Sequence, residues 1–198
     1  MSALKIGIIL GSTRPGRRGE EPARWLLDIA SERSGAQYDL IDLADFNLPL
    51  LDEVNNASQG QYEHEHTKRW AAKIAQYDGF VFVTAEYNHG VPAALKNALD
   101  YLYAEWNNKT VAFVSYGAAS SGQRAVEQLR SIAGELQLAD VRQQVAFSLF
   151  SDWEQFTTFA PAESHIASAH TILDQLEAWT KALHGVRAVK SDELYEAA

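Results

Sequence analysis

The sequence predicts an α/β protein, a parallel sheet with helices packed on both faces. Three observations predict it. Short apolar runs alternate with helical stretches five times along the chain. Most of those runs are too apolar to be half exposed, as in GFVFVTA at residues 79–85, and a strand covered on both faces reads that way. Each crossover leaves room for a helix, so right-handed connections and five strands favour the order 2-1-3-4-5.

The elements follow in order. Residues 4–10 (LKIGIIL) form a buried strand ended by Gly11. After the turn residues 11–19 a helix spans 20–34. Pro22 is tolerated only in a first turn, which fixes the helix start, and Trp25, Leu26 and Ile29 make its apolar stripe. Residues 38–43 are a second strand. Residues 44–63 are rich in Asn, Asp, Pro and Gly, yet Phe46, Leu48, Leu50, Leu51 and Val54 argue for an anchored lid or interface loop. A helix over 64–77 carries Trp70, Ile74 and Tyr77 on one face. Then come a strand at 79–85, a helix at 92–103 and a strand at 110–115. A helix at 121–138 follows, with Val126, Leu129, Ala133 and Leu136 in register, then a fifth strand at 141–147. Residues 150–163 read as irregular and aromatic-rich. The final helix, 164–184, turns Ile166, Ala169, Leu173, Leu176 and Thr180 inward. Residues 1–185 are expected to be one domain and 186–198 a polar tail.

Of 198 residues 46% are apolar, enough for one core, and 17 basic against 26 acidic residues give a net charge of −9. That balance argues against nucleic acid or an anionic membrane as the main partner. No stretch reaches the ~18 apolar residues of a membrane span. The chain has no cysteine, so disulfides, thiolate metal sites and cysteine nucleophiles are excluded together, and the expected location is the cytoplasm. His64 and His66, two apart, are not expected to face each other, and no metal site is expected. Lys96 and Asp100 are four apart on one helix, as a surface ion pair or a subunit contact would require.

In such a sheet ligands bind at the carboxyl ends of the strands, where the order reverses between strands one and three. Three polar or glycine-rich loops meet there: residues 11–19, 86–90 and 116–122. The first, GSTRPGRRG, opens onto a helix N-terminus, an anion site by its amides and dipole. Ser12 and Thr13 add hydroxyls, while Arg14, Arg17 and Arg18 add guanidinium groups suited to phosphate. Gly11 and Gly16 have the P-loop spacing, but Arg17-Arg18 stands where Lys-Ser/Thr is needed, and Thr13 breaks G-x-G-x-x-G. A monophosphate fits better than a nucleoside triphosphate or dinucleotide. The alternative is a solvated basic turn, with Glu20 and Glu21 as ion-pair partners for Arg17 and Arg18.

With EYNHG at 86–90 and VSYG at 114–117, followed by Gly122 and RAVEQLR, these motifs resemble the NADPH-dependent FMN reductase family. The resemblance runs from Lys5 to about Phe147. It implies a flavodoxin-like three-layer sandwich. It also implies that Ser12, Arg14 and Arg17, with Thr13 and Gly19 in the same loop, hold the FMN phosphate. Glu86, Tyr87, Asn88 and His89 would run along the flavin ring, and Ser115, Tyr116 and Gly117 would lie near its pyrimidine edge. Two departures stand out: Ala85, where many relatives carry Pro, and Ala118, where a second glycine is common.

The implied function is an FMN-dependent oxidoreductase taking hydride from NADPH or NADH and passing it to a quinone, flavin or azo compound. The alternative is a flavodoxin-type electron carrier without pyridine-nucleotide activity. A serine hydrolase using Ser115 and His89 lacks the G-x-S-x-G elbow. The resemblance also implies a dimer or tetramer. Tyr101, Tyr103 and Trp106, which fall outside the stripe of Leu95, Ala98, Leu99 and Leu102, are expected to form an exposed contact patch.

Overall fold

The structure, a computed structural model, describes residues 3–188. Its central sheet holds β1 (Leu4–Leu10), β2 (Ala36–Asp42), β3 (Gly79–Ala85), β4 (Lys109–Gly117) and β5 (Leu138–Ser148). All pair in parallel, in the order β2-β1-β3-β4-β5, the flavodoxin-like arrangement. The helices are α1 (Glu20–Ser31), α2 (Glu65–Ile74), α3 (Ala93–Asp100), α4 (Gln123–Glu135) and α5 (Ser164–Ala188). A two-stranded antiparallel ribbon, β6 (Trp153–Glu154) with β7 (Thr158–Phe159), lies between β5 and α5.

Strand alternation divides the core into two layers. Ile6, Ile8 and Leu10 point to the layer under α1 and α5, with Val81, Val83, Val114, Phe147 and Leu173. Ile9 points to the other layer, where Phe80, Phe82 and Phe113 meet Trp70 and Trp106 beneath α2, α3 and α4. β3 and β4 are buried throughout, as a strand covered on both faces must be.

Several sequence expectations change. In α1 the buried stripe is Pro22, Ala23, Leu26 and Ala30, while Trp25 and Ile29 are half-buried. α3 stops at Asp100, so the chain turns inward and Tyr101 and Trp106 are fully buried. The Trp106 indole donates to the Leu99 carbonyl at 3.2 Å. The aromatic patch expected there does not exist. In α5 Ile172 replaces Ile166 on the inner face, Ile166 being exposed. Residues 150–163 are mostly turn and irregular chain, as expected, and add the short β6–β7 ribbon. The segment 44–63 is ordered, with single 3-10 turns at Leu43–Asp45 and Ala57–Gln59. Lys96 and Asp100 do pair, at 2.6 Å. His64 occupies the N-cap position of α2 in an extended conformation, without a capping hydrogen bond from its side chain, and its ring stacks on His66 with centroids 5.1 Å apart, contrary to the spacing argument. α5 continues through Val186 and Arg187, whose guanidinium meets Asp78 at 2.7 Å. Residues 189–198 of the expected tail lie outside the described residues.

Candidate functional site: a cofactor cleft at the carboxyl edge

The loop after β1 is tied down at its base and open at its tip. The Gly11 N–H donates to the Val83 carbonyl at 2.9 Å, and a Cβ at Gly11 would stand 2.8 Å from Leu95. Ser12 is buried, and its hydroxyl lies 2.8 Å from that of Tyr87, which joins the first loop to the second. Arg17 is engaged on one side by Asp42 and on the other by the Ser12 carbonyl at 2.9 Å. The Asp42 carboxylate also accepts the Ala44 N–H, so Arg17 fastens this loop to the end of β2. Arg18 reaches the Thr157 carbonyl of the ribbon and Glu21. Glu20 pairs with Arg24 instead. Thr13 and Arg14 are exposed, and Arg14 has no ion-pair partner among the described residues.

The start of α1 is unfinished. Gly19 holds the N-cap position, so no side chain caps the first-turn amides, which a helix N-terminus leaves without intrahelical partners. Gly19 is required by proximity: a Cβ there would stand 2.7 Å from the Tyr116 hydroxyl and 2.8 Å from Leu10. That Tyr116 hydroxyl is buried without a hydrogen-bond partner. Burial pushes it above the ordinary phenol value, and the nearby Tyr87 adds to the rise. A buried unpaired hydroxyl is costly unless something completes it. The uncapped amides, the exposed Thr13 hydroxyl and the free Arg14 guanidinium belong to this one loop and helix start, and all can donate. Their natural complement is an anion with several acceptor oxygens.

The loop after β3 is a tight turn. Tyr87 and Gly90 exchange backbone hydrogen bonds at 3.1 and 3.0 Å, and Asn88 and His89 between them have φ of 51° and 66°. Two left-handed central residues define a type I′ turn. Asn88 and His89 are exposed at its tip. The Glu86 side chain turns the other way. It accepts from Ser120 Oγ at 2.5 Å, from the Arg124 N–H at 3.1 Å and from the Arg124 guanidinium at 2.9 Å. Burial alone would raise this carboxyl, but the bonds from Ser120 and Arg124 outweigh it and hold it below the usual carboxylate range. Glu86 therefore clamps the second loop to the start of α4.

In the third loop Ser115 is buried, and its hydroxyl donates to the Ser121 carbonyl at 2.8 Å. The turn is close enough that a Cβ on Gly117 would stand 2.9 Å from the Gly122 nitrogen. Gly122 has φ 82° and packs on Ser115, a backbone conformation suited to glycine. The Ser115 hydroxyl is spent on this loop and meets no histidine, which removes the hydrolase alternative.

The architecture and these three loops set the context for comparison with known proteins. The model of the NADPH-dependent FMN reductase family matches residues 4–152. The chain belongs to that family. It is similar to an NAD(P)H-dependent FMN reductase of Schizosaccharomyces pombe, 45% identical over 136 residues and 68% of each chain. It is also similar to a quinone reductase of Pseudomonas putida, 32% identical over 122 residues, 59% of this chain and 62% of that one. Among solved structures, a flavoenzyme NAD(P)H:acceptor oxidoreductase from Paracoccus denitrificans superposes with a TM-score of 0.69. The two are 17% identical, and the match covers 91% of this chain and 98% of that one, a likeness of fold.

Within this family member the structure brings Ser12, Gly19, Tyr87 and Tyr116 together and leaves Thr13, Arg14, Asn88 and His89 open to solvent. Arg17, Glu86 and Ser115 have side chains committed to holding loops. Sequence reasoning missed the support behind the cleft. Asn97 donates to the Pro49 carbonyl at 2.6 Å and accepts the Leu51 N–H at 2.9 Å, and the Tyr101 hydroxyl donates to Asp52 at 2.9 Å. These two residues, four apart and one helical turn along the chain, hold residues 49–52, the base of a strap that continues through Val54. Leu50 and Val54 stand 81% and 84% exposed on it. A cavity of about 270 Å³ lies between residues 43–48, α3 and the first loop, lined by Thr13, Leu43, Leu48 and Asn97. The legible signal was the excess of apolar residues in 44–63.

Proposed function

We propose that the protein is an FMN-dependent oxidoreductase that passes hydride from NADPH or NADH to a small acceptor of the quinone, flavin or azo class. The observation that carries the reading is the uncapped start of α1 with the exposed, unpaired Arg14 in the loop that leads into it. An FMN phosphate would be held there by the first-turn amides, with Ser12 and Thr13 adding hydroxyl donors and Arg14 a charge-assisted contact. When bound, FMN supplies the redox chemistry, which no side chain here can provide. The chain's own work is placement. The type I′ turn of residues 87–90 would offer the flavin ring a fixed backbone edge, which the Glu86 clamp holds against the third loop, and Ser12 and Tyr87 would brace the first loop behind the phosphate. Among the described residues no cluster suits a metal ion, and no helix is long and apolar enough to cross a membrane.

The test is NADPH oxidation by the purified protein reconstituted with FMN. Turnover with a quinone supports the reading. Tight FMN binding without NADPH oxidation favours the flavodoxin-type carrier, and failure to bind FMN overturns both.

Self-association belongs to the same proposal. The strap presents Leu50, Leu51 and Val54 on a backbone pinned by Asn97 and Tyr101, and an ordered loop that displays apolar side chains is built for contact. A second copy docked there would wall the cleft. Light scattering should give at least twice the 22.0 kDa chain mass, and Leu50→Asp with Val54→Asp should return it to the monomer value. A monomeric wild type with full activity refutes the shared site.

A further inference from the structure

The ribbon after β5 carries an unusual turn. Glu154 and Thr157 are joined by a hydrogen bond of 2.9 Å, and the two residues between them, Gln155 and Phe156, have φ of 49° and 59°. A two-residue turn with both centres left-handed favours Asn-Gly, and a bulky aromatic there is strained by about 1 kcal/mol or more. The strained residue is not buried in compensation. Phe156 is 55% exposed and packs edge to face on Phe150, itself 64% exposed, with ring centroids 5.8 Å apart. The fold therefore holds an unfavourable backbone conformation in order to display an aromatic pair in water.

The place of that pair gives it meaning. Its segment hangs on the third cleft loop, through the Leu149 N–H to the Gly117 carbonyl at 2.8 Å and Ser148 Oγ to the Ala118 carbonyl at 3.4 Å. The same ribbon meets the first cleft loop through Arg18 and Thr157. Beneath it Asp152 is buried and ties the segment together, accepting from the Ser148 N–H at 2.8 Å and the Ala162 N–H at 3.2 Å and meeting His165 at 2.9 Å. The pair is thus a rigidly mounted apolar rim bridging two loops of the cleft.

We propose that Phe150 and Phe156 form the platform on which a flat, apolar electron acceptor of the quinone class docks at the rim of the cofactor cleft. This rests on the oxidoreductase reading above and adds the residues that select the acceptor. The scale of the patch favours a ring-sized ligand over a protein. Two rings exposed to this degree offer on the order of 250 Å², whereas a stable protein interface buries about 800 Å² per partner.

The experiment compares wild type with Phe156→Gly, Phe150→Ala and the double variant, using 1,4-naphthoquinone and ferricyanide as acceptors under NADPH. Phe156→Gly removes the ring and the left-handed strain together. It should melt at the wild-type temperature or above while its KM for naphthoquinone rises about tenfold, as for loss of a stacking surface. Turnover with ferricyanide, KM for NADPH and FMN affinity should not change. Phe150→Ala should raise the same KM. An unchanged naphthoquinone KM in the double variant overturns the proposal, as does a parallel loss with ferricyanide. A lower melting temperature in Phe156→Gly makes the ring structural, and a fall in oligomer mass makes it a subunit contact; either outcome overturns it. Wild type that oxidises NADPH with neither acceptor refutes the oxidoreductase reading itself, which keeps the two failures distinct.

Discussion

The two ends of the sheet treat their charged and polar groups in opposite ways. At the amino edge the buried and half-buried charges are engaged within the protein. Asp78 accepts the Lys5 N–H at 2.9 Å and the Arg187 guanidinium at 2.7 Å, and Arg187 also donates to the Asn108 carbonyl at 3.0 Å. Lys109 donates to the Ile74 carbonyl at 3.1 Å and lies over the Phe80 ring. At the carboxyl edge Arg14 stands free, the start of α1 has no side-chain cap and the Tyr116 hydroxyl has no partner. Thr110 and Thr180, whose hydroxyls are buried and unpartnered, mark the amino end too, but there the neighbouring cation Lys109 is buried on the Ile74 carbonyl and no open helix start accompanies them. A closed charge network stabilises a fold. An open one, at the strand ends where this topology binds ligands, waits for a partner.

If that contrast is right, damage at the two ends should separate cleanly. The largest effect is expected from Asp78→Ala, which leaves Arg187 unpaired and the Lys5 N–H without its acceptor. It should cost about 3 kcal/mol of stability in urea unfolding, in line with loss of hydrogen bonds to a charged, partly buried group. FMN affinity of the folded variant should match wild type. A weakened FMN affinity would show that the two ends are coupled.

Arg14→Ala is the reverse experiment. The side chain is exposed and unpaired, so stability should stay within about 0.5 kcal/mol of wild type. FMN affinity should fall ten- to a hundredfold, the worth of a charge-assisted phosphate contact of roughly 1.5–3 kcal/mol. Riboflavin, which lacks the phosphate, should bind both proteins alike, and equal losses for the two ligands would remove Arg14 from the phosphate site.

Apolar runs and turn residues are local signals, and they carried the five strands, their order and the three cleft loops into the sequence reading. Pairings set by tertiary structure did not show. Nothing local says that Arg17 meets Asp42, 25 residues on, or that Glu86 reaches Ser120 and Arg124, so the sequence alone points both at the cofactor. Tyr101 and Trp106 were misjudged because a helix through Tyr103 places them outside the stripe, whereas α3 ends at Asp100 and the chain folds them inward. The Gln155-Phe156 turn was invisible because those residue types do not announce left-handed backbone. Where function and local propensity disagree, the sequence is least legible.

Lys109 offers the finest test of the closed amino edge, because its bond to the Ile74 carbonyl does not make its charge comfortable. Burial first, and the Arg187 charge second, lower its ammonium to about 8, well under the ordinary lysine value. Below that pH both folded and unfolded chains hold the proton, and the folded state bears the full penalty. Between about 8 and 10.5 the unfolded chain still binds a proton that the folded chain has released, so stability rises with pH. Tyr38, Tyr62, Tyr101 and Tyr116 are all raised above the ordinary phenol value, so they lower stability only as the unfolded phenols ionise near pH 10, above the interval from pH 7 to pH 9 and equally in both proteins. Wild type should therefore gain on the order of 1 kcal/mol between pH 7 and pH 9 relative to Lys109→Met, which has no proton to lose. Urea unfolding of the two proteins at both pH values measures the difference. FMN titration at the same pH values should show no effect of the substitution, because Lys109 sits at the end of the sheet away from the cleft. Identical pH slopes for the two proteins would mean that Lys109 reaches solvent and that its charge is not part of the closed network.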